Sequence, residues 1–459
     1  MADLTSTFCG VSAPNPFWLA SAPPTNSAYQ INKAFEAGWG GVVWKTIGAP
    51  VLNISNRYGS LRHEGRQLVG INNIELVSDR SLDINLTEIA EGKKAGPDRA
   101  VWGSAMVDAS PKAWREIVDA IEQTGADGIE LNFGCPQGMS ERGMGAAVGQ
   151  VPELCGQNTA WVRECTSLPV ISKLTPNVTD IKEPALAALQ AGADALSLIN
   201  TINSIASVDL DTVHVLPDVG GRASHGGYAG PAVRPIALYM LSELMTDPRI
   251  AGFGRPISGI GGVQSWQDAA EFLCLGASSV QVCTAAMHYG FRIVGDLISG
   301  LSNWMDEHGF ATIEDFRGRA LAGLGTYNDL DLSYKAVAHI DPARCITCNL
   351  CWEACEDTAH QCIDLVTPDG EVVRAGIDES VSGAASRLGR PLPQVREADC
   401  VGCALCANVC PVDDCITMQT RDSGRAPVTW QQITAERPEV TDNWLAMDAY
   451  RDEVGIHIH

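Results

Sequence analysis

Ten of the sixteen cysteines fall between Cys345 and Cys415, and eight of those ten form two runs of one spacing. The first is Cys345-x2-Cys348-x2-Cys351-x3-Cys355; the second is Cys400-x2-Cys403-x2-Cys406-x3-Cys410, closed by Pro411. Thiolates two residues apart let one short loop surround an iron–sulfur cube, and a helix after the loop carries the fourth ligand away. In paired runs of this kind that fourth cysteine crosses to the other cluster, so Cys355 belongs with the second run and Cys410 with the first. Two C-x2-C pairs also suit tetrahedral zinc, but a doubled run of four followed by proline is poorly explained that way. The spacing therefore predicts two 4Fe–4S clusters. Cys362 and Cys415 lie outside both runs and read as packing residues.

Clusters of this kind pass single electrons, so a two-electron step on a substrate needs a second site. The preceding residues, roughly 310 of them, offer a scaffold for one. Short apolar runs at Phe17–Pro23, Gly41–Thr46, Ala100–Met106, Gly128–Gly134, Val170–Thr175, Ala195–Asn200, Pro256–Gly262 and Ser279–Ala285 suit strands covered on both faces. Helical stretches separate them at Ala28–Ala37, Pro111–Thr124, Leu154–Thr166, Pro184–Ala191, Ala232–Leu244, Ser265–Leu275 and Phe291–Glu307. Four of these end in a Gly-containing turn (AGWGG, TGADG, AGADA, LGASS) that stops the helix and leads into the next strand. Eight such units predict an α/β fold, a (β/α)8 TIM barrel, with a doubly wound open sheet as the competing arrangement. Leu52–Asp98 and Ser204–Tyr228 break the repeat and read as insertions that cover the substrate. The expected organisation is a catalytic barrel over 1–312, a connector over 313–339, a ferredoxin-like domain over 340–418 and a polar tail over 419–459.

The bulk properties exclude several function classes. A net charge of −23 argues against a nucleic-acid surface. No apolar run approaches the ~18–20 residues of a membrane helix, and MADLTSTFCG has neither the basic start nor the apolar stretch of a secretory signal. Cytoplasmic residence is the expectation, where thiols stay reduced and are free to hold metal.

In a TIM barrel the chemistry gathers at the C-terminal strand ends. Those ends are Ala20-Ser21, Lys45-Thr46, Asn132 to Pro136, Lys173-Leu174-Thr175, Asn200-Thr201, Gly261-Gly262 and Cys283-Thr284. Glycines on the seventh strand and a helix start after the eighth suit a phosphate. Two lysines at strand ends need an anion, because a buried cation alone is costly; a reduced flavin would suit Lys173. Cys135 stands directly after the fourth strand. A cysteine thiol has an unperturbed pKa of ~8.5 and can donate its proton at neutral pH. The surrounding run GCPQGMSERGMGAAVG is rich enough in glycine to read as a mobile lid carrying that acid. Cys9, Cys155, Cys165 and Cys274 lie off the barrel top and read as packing.

The segments NFGCPQGMSERGMGAAVGQVPEL, SKLTPNVTDI, INTINS and GGYAGPAVRPIAL, with CPVDDCI in the cysteine-rich part, resemble the pyrimidine-reducing portion of dihydropyrimidine dehydrogenases. The likeness runs from about Pro16 to about Met418 and is strongest to the FMN-carrying subunit of the bacterial two-subunit form. The resemblance implies a barrel of the dihydroorotate-dehydrogenase type that reduces the 5,6 double bond of uracil or thymine, or runs the reverse. It implies Cys135 as proton donor to the ring and Asn73, Asn132, Asn200 and Thr201 as its hydrogen-bonding partners. It further implies FMN contacts at Ala20, Ser21, Lys45, Thr46, Lys173, Gly227, Gly261, Gly262, Cys283 and Thr284. Two positions depart from the family pattern: Gly134 stands where a serine is usual, and Gln137 where a histidine is. No G-x-G-x-x-G opens a βαβ unit here, so NAD and FAD are expected only on a partner flavoprotein subunit, in a homo-oligomer of heterodimers. The competing functions are a dihydroorotate dehydrogenase-like enzyme on another ring and a non-catalytic electron-transfer subunit.

Overall fold

The computed structural model describes residues 2–49, 51–60, 70–136, 142–373 and 391–454. The chain divides into two compact units, Met1–Gly323 and Leu324–His459. The segment 313–339 is split between them.

The first unit contains eight parallel strands: β1 Phe17–Leu19, β2 Gly41–Val43, β3 Ala100–Met106, β4 Gly128–Asn132, β5 Val170–Lys173, β6 Ala195–Leu198, β7 Ile257–Ile260 and β8 Ser279–Val282. Each pairs with its neighbours in chain order, and β8 returns to β1, with Val280 opposite Phe17. The sheet therefore closes, and the open-sheet alternative falls. Every residue of these strands except Asn132 is buried, which is why they read as continuous apolar runs.

Eight helices cover the barrel: α1 Ala28–Ala37, α2 Leu82–Ala95, α3 Pro111–Glu122, α4 Pro152–Arg163, α5 Lys182–Gln190, α6 Arg234–Thr246, α7 Trp266–Cys274 and α8 Ile293–His308. Side-chain caps set several starts: Ser27, Ser81, Ser110 and Ser265 each accept a backbone N–H of the first turn. Gly38 ends α1 at φ 115°, a left-handed conformation that suits glycine. α2 corrects the reading of Leu52–Asp98 as pure insertion, because its second half is the ordinary helix of the second β–α unit. The first half does leave the repeat. Tyr58–Ser60 and Ile71–Asn73 join Gly226–Ala229 and Ile202–Ser204 in a four-stranded sheet. The two irregular stretches thus meet in one structure beside the strand ends.

In the second unit, Lys335–Ile340 pairs antiparallel with Ile416–Arg421, and Ile363–Val366 pairs with both Val372–Val373 and Leu392–Val395. Helices Leu350–Thr358 and Leu405–Asn408 follow the two cysteine loops. Their N-caps, Asn349 and Ala404, have the same left-handed backbone, φ 62° and 63°, so the sequence repeat is also a structural one.

Candidate active site and electron-carrier cavities

A cavity opens at the C-terminal ends of the barrel strands. Its wall holds Cys135, Asn73, Asn132, Asn200 and Thr201, together with Ala20, Ser21, Lys45, Thr46, Lys173, Gly261, Gly262, Cys283 and Thr284. Of the residues picked out from sequence, only Gly227 is set back from the wall. Thr201 Oγ1 lies 2.0 Å from where its Cβ would be, and its carbonyl accepts from Asn73 Nδ2 at 3.4 Å.

One side of the cavity is a chain of amides and hydroxyls. Asn200 Nδ2 donates to Asn132 Oδ1 at 2.9 Å, and Asn132 Nδ2 donates to Thr46 Oγ1 at 2.9 Å. Thr46 continues the chain to Ser104 at 2.9 Å and Ser21 at 3.0 Å. Asn132 Oδ1 also accepts Gly134 N–H at 3.1 Å, and Asn200 Oδ1 accepts Thr201 N–H at 2.9 Å. Among the described residues, this leaves one N–H on each amide and one lone pair on Asn200 Oδ1 for a ring.

Gly134 makes this arrangement possible. A Cβ there would lie 2.3 Å from Asn200 Cβ and 2.4 Å from Asn200 Nδ2. The serine expected from the resemblance has no room while Asn200 points inward, so an amide just past β6 fills the space of a side chain just past β4.

Cys135 is 9% exposed and packs with Val77, Met106 and Met144. Its carbonyl accepts Ala146 N–H at 3.1 Å, and a Cβ on Gly145 would come within 2.6 Å of that oxygen. That glycine serves close packing onto Cys135. Residues 137–141, including Gln137 and the middle of the expected lid, lie outside the described residues.

Both lysines are 5% exposed, and both have carboxylate partners that the sequence reading missed. Lys45 Nζ lies 2.8 Å from Glu75, whose carboxylate also takes Arg57 at 2.7 Å and the Tyr58 hydroxyl. Burial would raise the Glu75 pKa, but Lys45 beside it, with the Tyr58 and Arg57 hydrogen bonds, holds it below the usual range. Lys173 Nζ lies 3.3 Å from Glu130, which is fully buried. Glu130 also accepts from Ser197 at 2.9 Å and Gln281 at 3.2 Å. The anions partnering these lysines are thus the chain's own, and Glu75 could have been suspected from its place two residues after Asn73. Burial pushes the Cys283 thiol up to about 11, with Lys173 and Lys45 opposing. That group stays neutral.

The cavity fits a phosphate-bearing flavin on its own geometry. Gly261 and Gly262 have φ 137° and 75°. A Cβ on Gly262 would lie 2.8 Å from Arg234 Cβ and 2.9 Å from the Gly230 carbonyl, so only bare backbone fits at this turn. Thr284 follows on the same wall at the start of the helix Thr284–Tyr289. Deeper in, Gln281 Oε1 is buried without a hydrogen-bond partner among the described residues.

In the second unit the cysteines sort into two cavities. One is lined by Cys355, Cys362, Cys400, Cys403 and Cys406; the other by Cys345, Cys348, Cys351, Cys410 and Cys415. The last cysteine of each run thus faces the other run's first three. Cys362 and Cys415, read as packing residues, each reach a cavity wall as a fifth thiol. Among the described residues no three candidate ligands converge as a single-ion site. The sulfurs instead surround spaces, as a cube requires.

A closed barrel with a phosphate-and-ring cavity, joined in one chain to a pair of thiol-lined cavities, defines a redox enzyme of the flavin and iron–sulfur class. Comparison with known proteins narrows the class. The dihydroorotate dehydrogenase family model matches residues 3–305, and a 4Fe–4S dicluster domain matches 338–418. FMN is typical of that barrel family. The NAD-dependent dihydropyrimidine dehydrogenase subunit PreA of Escherichia coli K12 is 42% identical over 363 residues, covering 79% of this chain and 87% of that one. Chloroplastic dihydropyrimidine dehydrogenase (NADP(+)) of Arabidopsis thaliana is 42% identical over 344 residues, 72% of this chain and 79% of that one. The catalytic subunit of dihydroorotate dehydrogenase B (NAD(+)) from Pyrococcus abyssi is 34% identical over 316 residues, 68% and 97% of the two chains. The chain belongs to the dihydroorotate dehydrogenase family of barrels and, within it, to the dihydropyrimidine dehydrogenases. Among the described residues no helix is long and apolar enough to cross a membrane.

Proposed function

We propose that this chain is the pyrimidine-reducing subunit of a cytoplasmic NAD-dependent dihydropyrimidine dehydrogenase, acting on the 5,6 double bond of uracil or thymine. One observation carries the reading: Cys135 and the Asn132–Asn200 amides share one cavity with the Gly261–Gly262 cradle. FMN, when bound, supplies the hydride. Gly261, Gly262 and Thr284 would hold its phosphate, and Lys45 and Lys173 would border its ring system. The remaining N–H groups of Asn132 and Asn200 take the substrate's carbonyls, and Asn200 Oδ1 takes a ring N–H, which fixes the face presented. Cys135 gives its proton to ring C5 as the carbanion develops and recovers it from solvent. Asn73 and Thr201 border the same ring.

Electrons reach the barrel from the two clusters, fed in turn by a separate FAD- and NAD-binding subunit. The test is an anaerobic titration of the cofactor-loaded chain with dihydrouracil, dihydrothymine and dihydroorotate, following flavin absorbance. Bleaching by the first two and not the third supports the reading; bleaching by dihydroorotate alone, or by none, rejects it.

A further inference from the structure

A 4Fe–4S cube takes four thiolates, yet each cavity of the second unit presents five cysteines. In one of them the surplus residue has a defined target. Cys362 Sγ lies 3.6 Å from Cys355 Sγ, and the Cys362 N–H points to the same sulfur at 3.4 Å. The intervening turn is folded back firmly. Ala359 and Gln361 N–H both donate to the Cys355 carbonyl, at 3.2 and 3.1 Å, and Gln361 Nε2 donates to the Glu356 carbonyl at 2.9 Å. Gln361 takes φ 49° to make that reversal. Cys362, 4% exposed, then leads into the strand Ile363–Val366.

We propose that Cys362 is a hydrogen-bond donor to the cluster held by Cys355, Cys400, Cys403 and Cys406, and that it raises that cluster's reduction potential. The inference rests on the ligand assignment given above. A cluster sulfur carries more negative charge in the reduced state, so an S–H aimed at a ligand sulfur stabilises that state more than the oxidised one. Residue 362 delivers two donors, backbone and side chain, to the Cys355 sulfur, and its thiol also faces Cys400, a ligand of the same cluster. Cys415 has the corresponding place in the other cavity, where its thiol faces the Cys410 and Cys345 sulfurs and also a backbone acceptor, the Asp341 carbonyl at 3.8 Å. The carbonyl competes for its single proton, and its N–H goes to the Val412 carbonyl at 3.3 Å and not to a ligand sulfur, so its effect on its own cluster is smaller.

The test is redox titration of the full chain, followed by electron paramagnetic resonance, with iron counted for wild type, Cys362→Ala and Cys362→Ser. The expected result is two clusters in all three proteins. One midpoint potential falls in Cys362→Ala and is held or raised in Cys362→Ser, because a hydroxyl still donates. The corresponding shift in Cys415→Ala is smaller. An unmoved potential in Cys362→Ala overturns the donor role. Loss of one cluster's iron from both Cys362 variants also overturns it, since Cys362 would then be a ligand. Absence of two clusters from wild type would instead reject the ligand assignment, a result separable from failure of the donor role alone.

Discussion

The two units are held together by different materials. The largest core cluster of the barrel is apolar and runs from Leu4 to Phe316, and among the described residues Cys155 is its lone fully buried thiol. In the second unit's core cluster, six of the ten buried residues are cysteines: Cys351, Cys355, Cys362, Cys400, Cys406 and Cys415. Hydrophobic burial stabilises the first whether or not its cavity is filled. The second buries little apolar side chain beyond its cysteines, so metal binding should contribute a large share of its folding stability. The lesson is that the barrel is a scaffold holding a site, whereas the cluster unit is built around its cofactor.

The largest expected effect tests that contrast. Stripping iron anaerobically with a strong chelator, or pairing Cys355→Ser with Cys410→Ser, should unfold the second unit and leave the barrel intact. Limited proteolysis should then remove residues beyond Gly323 and spare a fragment of barrel size. Equal protection of both units would break the comparison.

Next in size is Glu130→Ala, which leaves Lys173 buried without its partner. Removing one member of a buried pair costs on the order of 3–5 kcal/mol, read as a lower urea midpoint of the barrel transition. An unchanged midpoint would mean that the cavity floor is not part of what stabilises the barrel.

Gly134→Ala should act on the site more than on the scaffold. The new methyl displaces Asn200, and a lost hydrogen bond to substrate is worth about 1–1.5 kcal/mol, a rise of roughly tenfold in KM for uracil with a smaller change in kcat. A KM equal to wild type would show that Asn200 does not depend on the bare backbone at 134.

The smallest effect is acid dependence. Glu75 has a lowered pKa in the folded chain, because Lys45, Tyr58 and Arg57 outweigh its burial. A depressed carboxylate contributes stability that is present above its unfolded pKa and lost as pH falls through the folded one. Glu75→Gln should therefore flatten the fall of barrel stability below about pH 4.5. A fall as steep as in wild type would assign the acid sensitivity to other groups.

How much of this was legible followed the same division of materials. All eight barrel strands were readable because both their faces are buried. α2 was missed because its buried residues are Asn85, Ile89 and Gly92, while Leu82 and Ile84 face solvent, so apolar periodicity says nothing there. The lysines were visible at strand ends, but Glu75 sits in an irregular stretch. Glu130 sits two residues before Asn132, on the same face of β4, and a period-two reading would have placed it inside the barrel. The dicluster unit was readable from cysteine spacing alone. The turn that brings Cys362 back onto Cys355 depends on the left-handed Gln361, which no spacing reveals.

The central claim is that the Cys135 thiol supplies a proton to a ring held in the barrel cavity, and single-turnover kinetics test it most directly. Wild type and Cys135→Ala, each loaded with FMN, are mixed anaerobically with dihydrouracil, the reverse reaction in which Cys135 takes the C5 proton back, and the flavin is followed by stopped flow. The account predicts unchanged FMN content and a reduction rate lower by about 10²–10⁴-fold in the variant. Equal rates in the two proteins would contradict it.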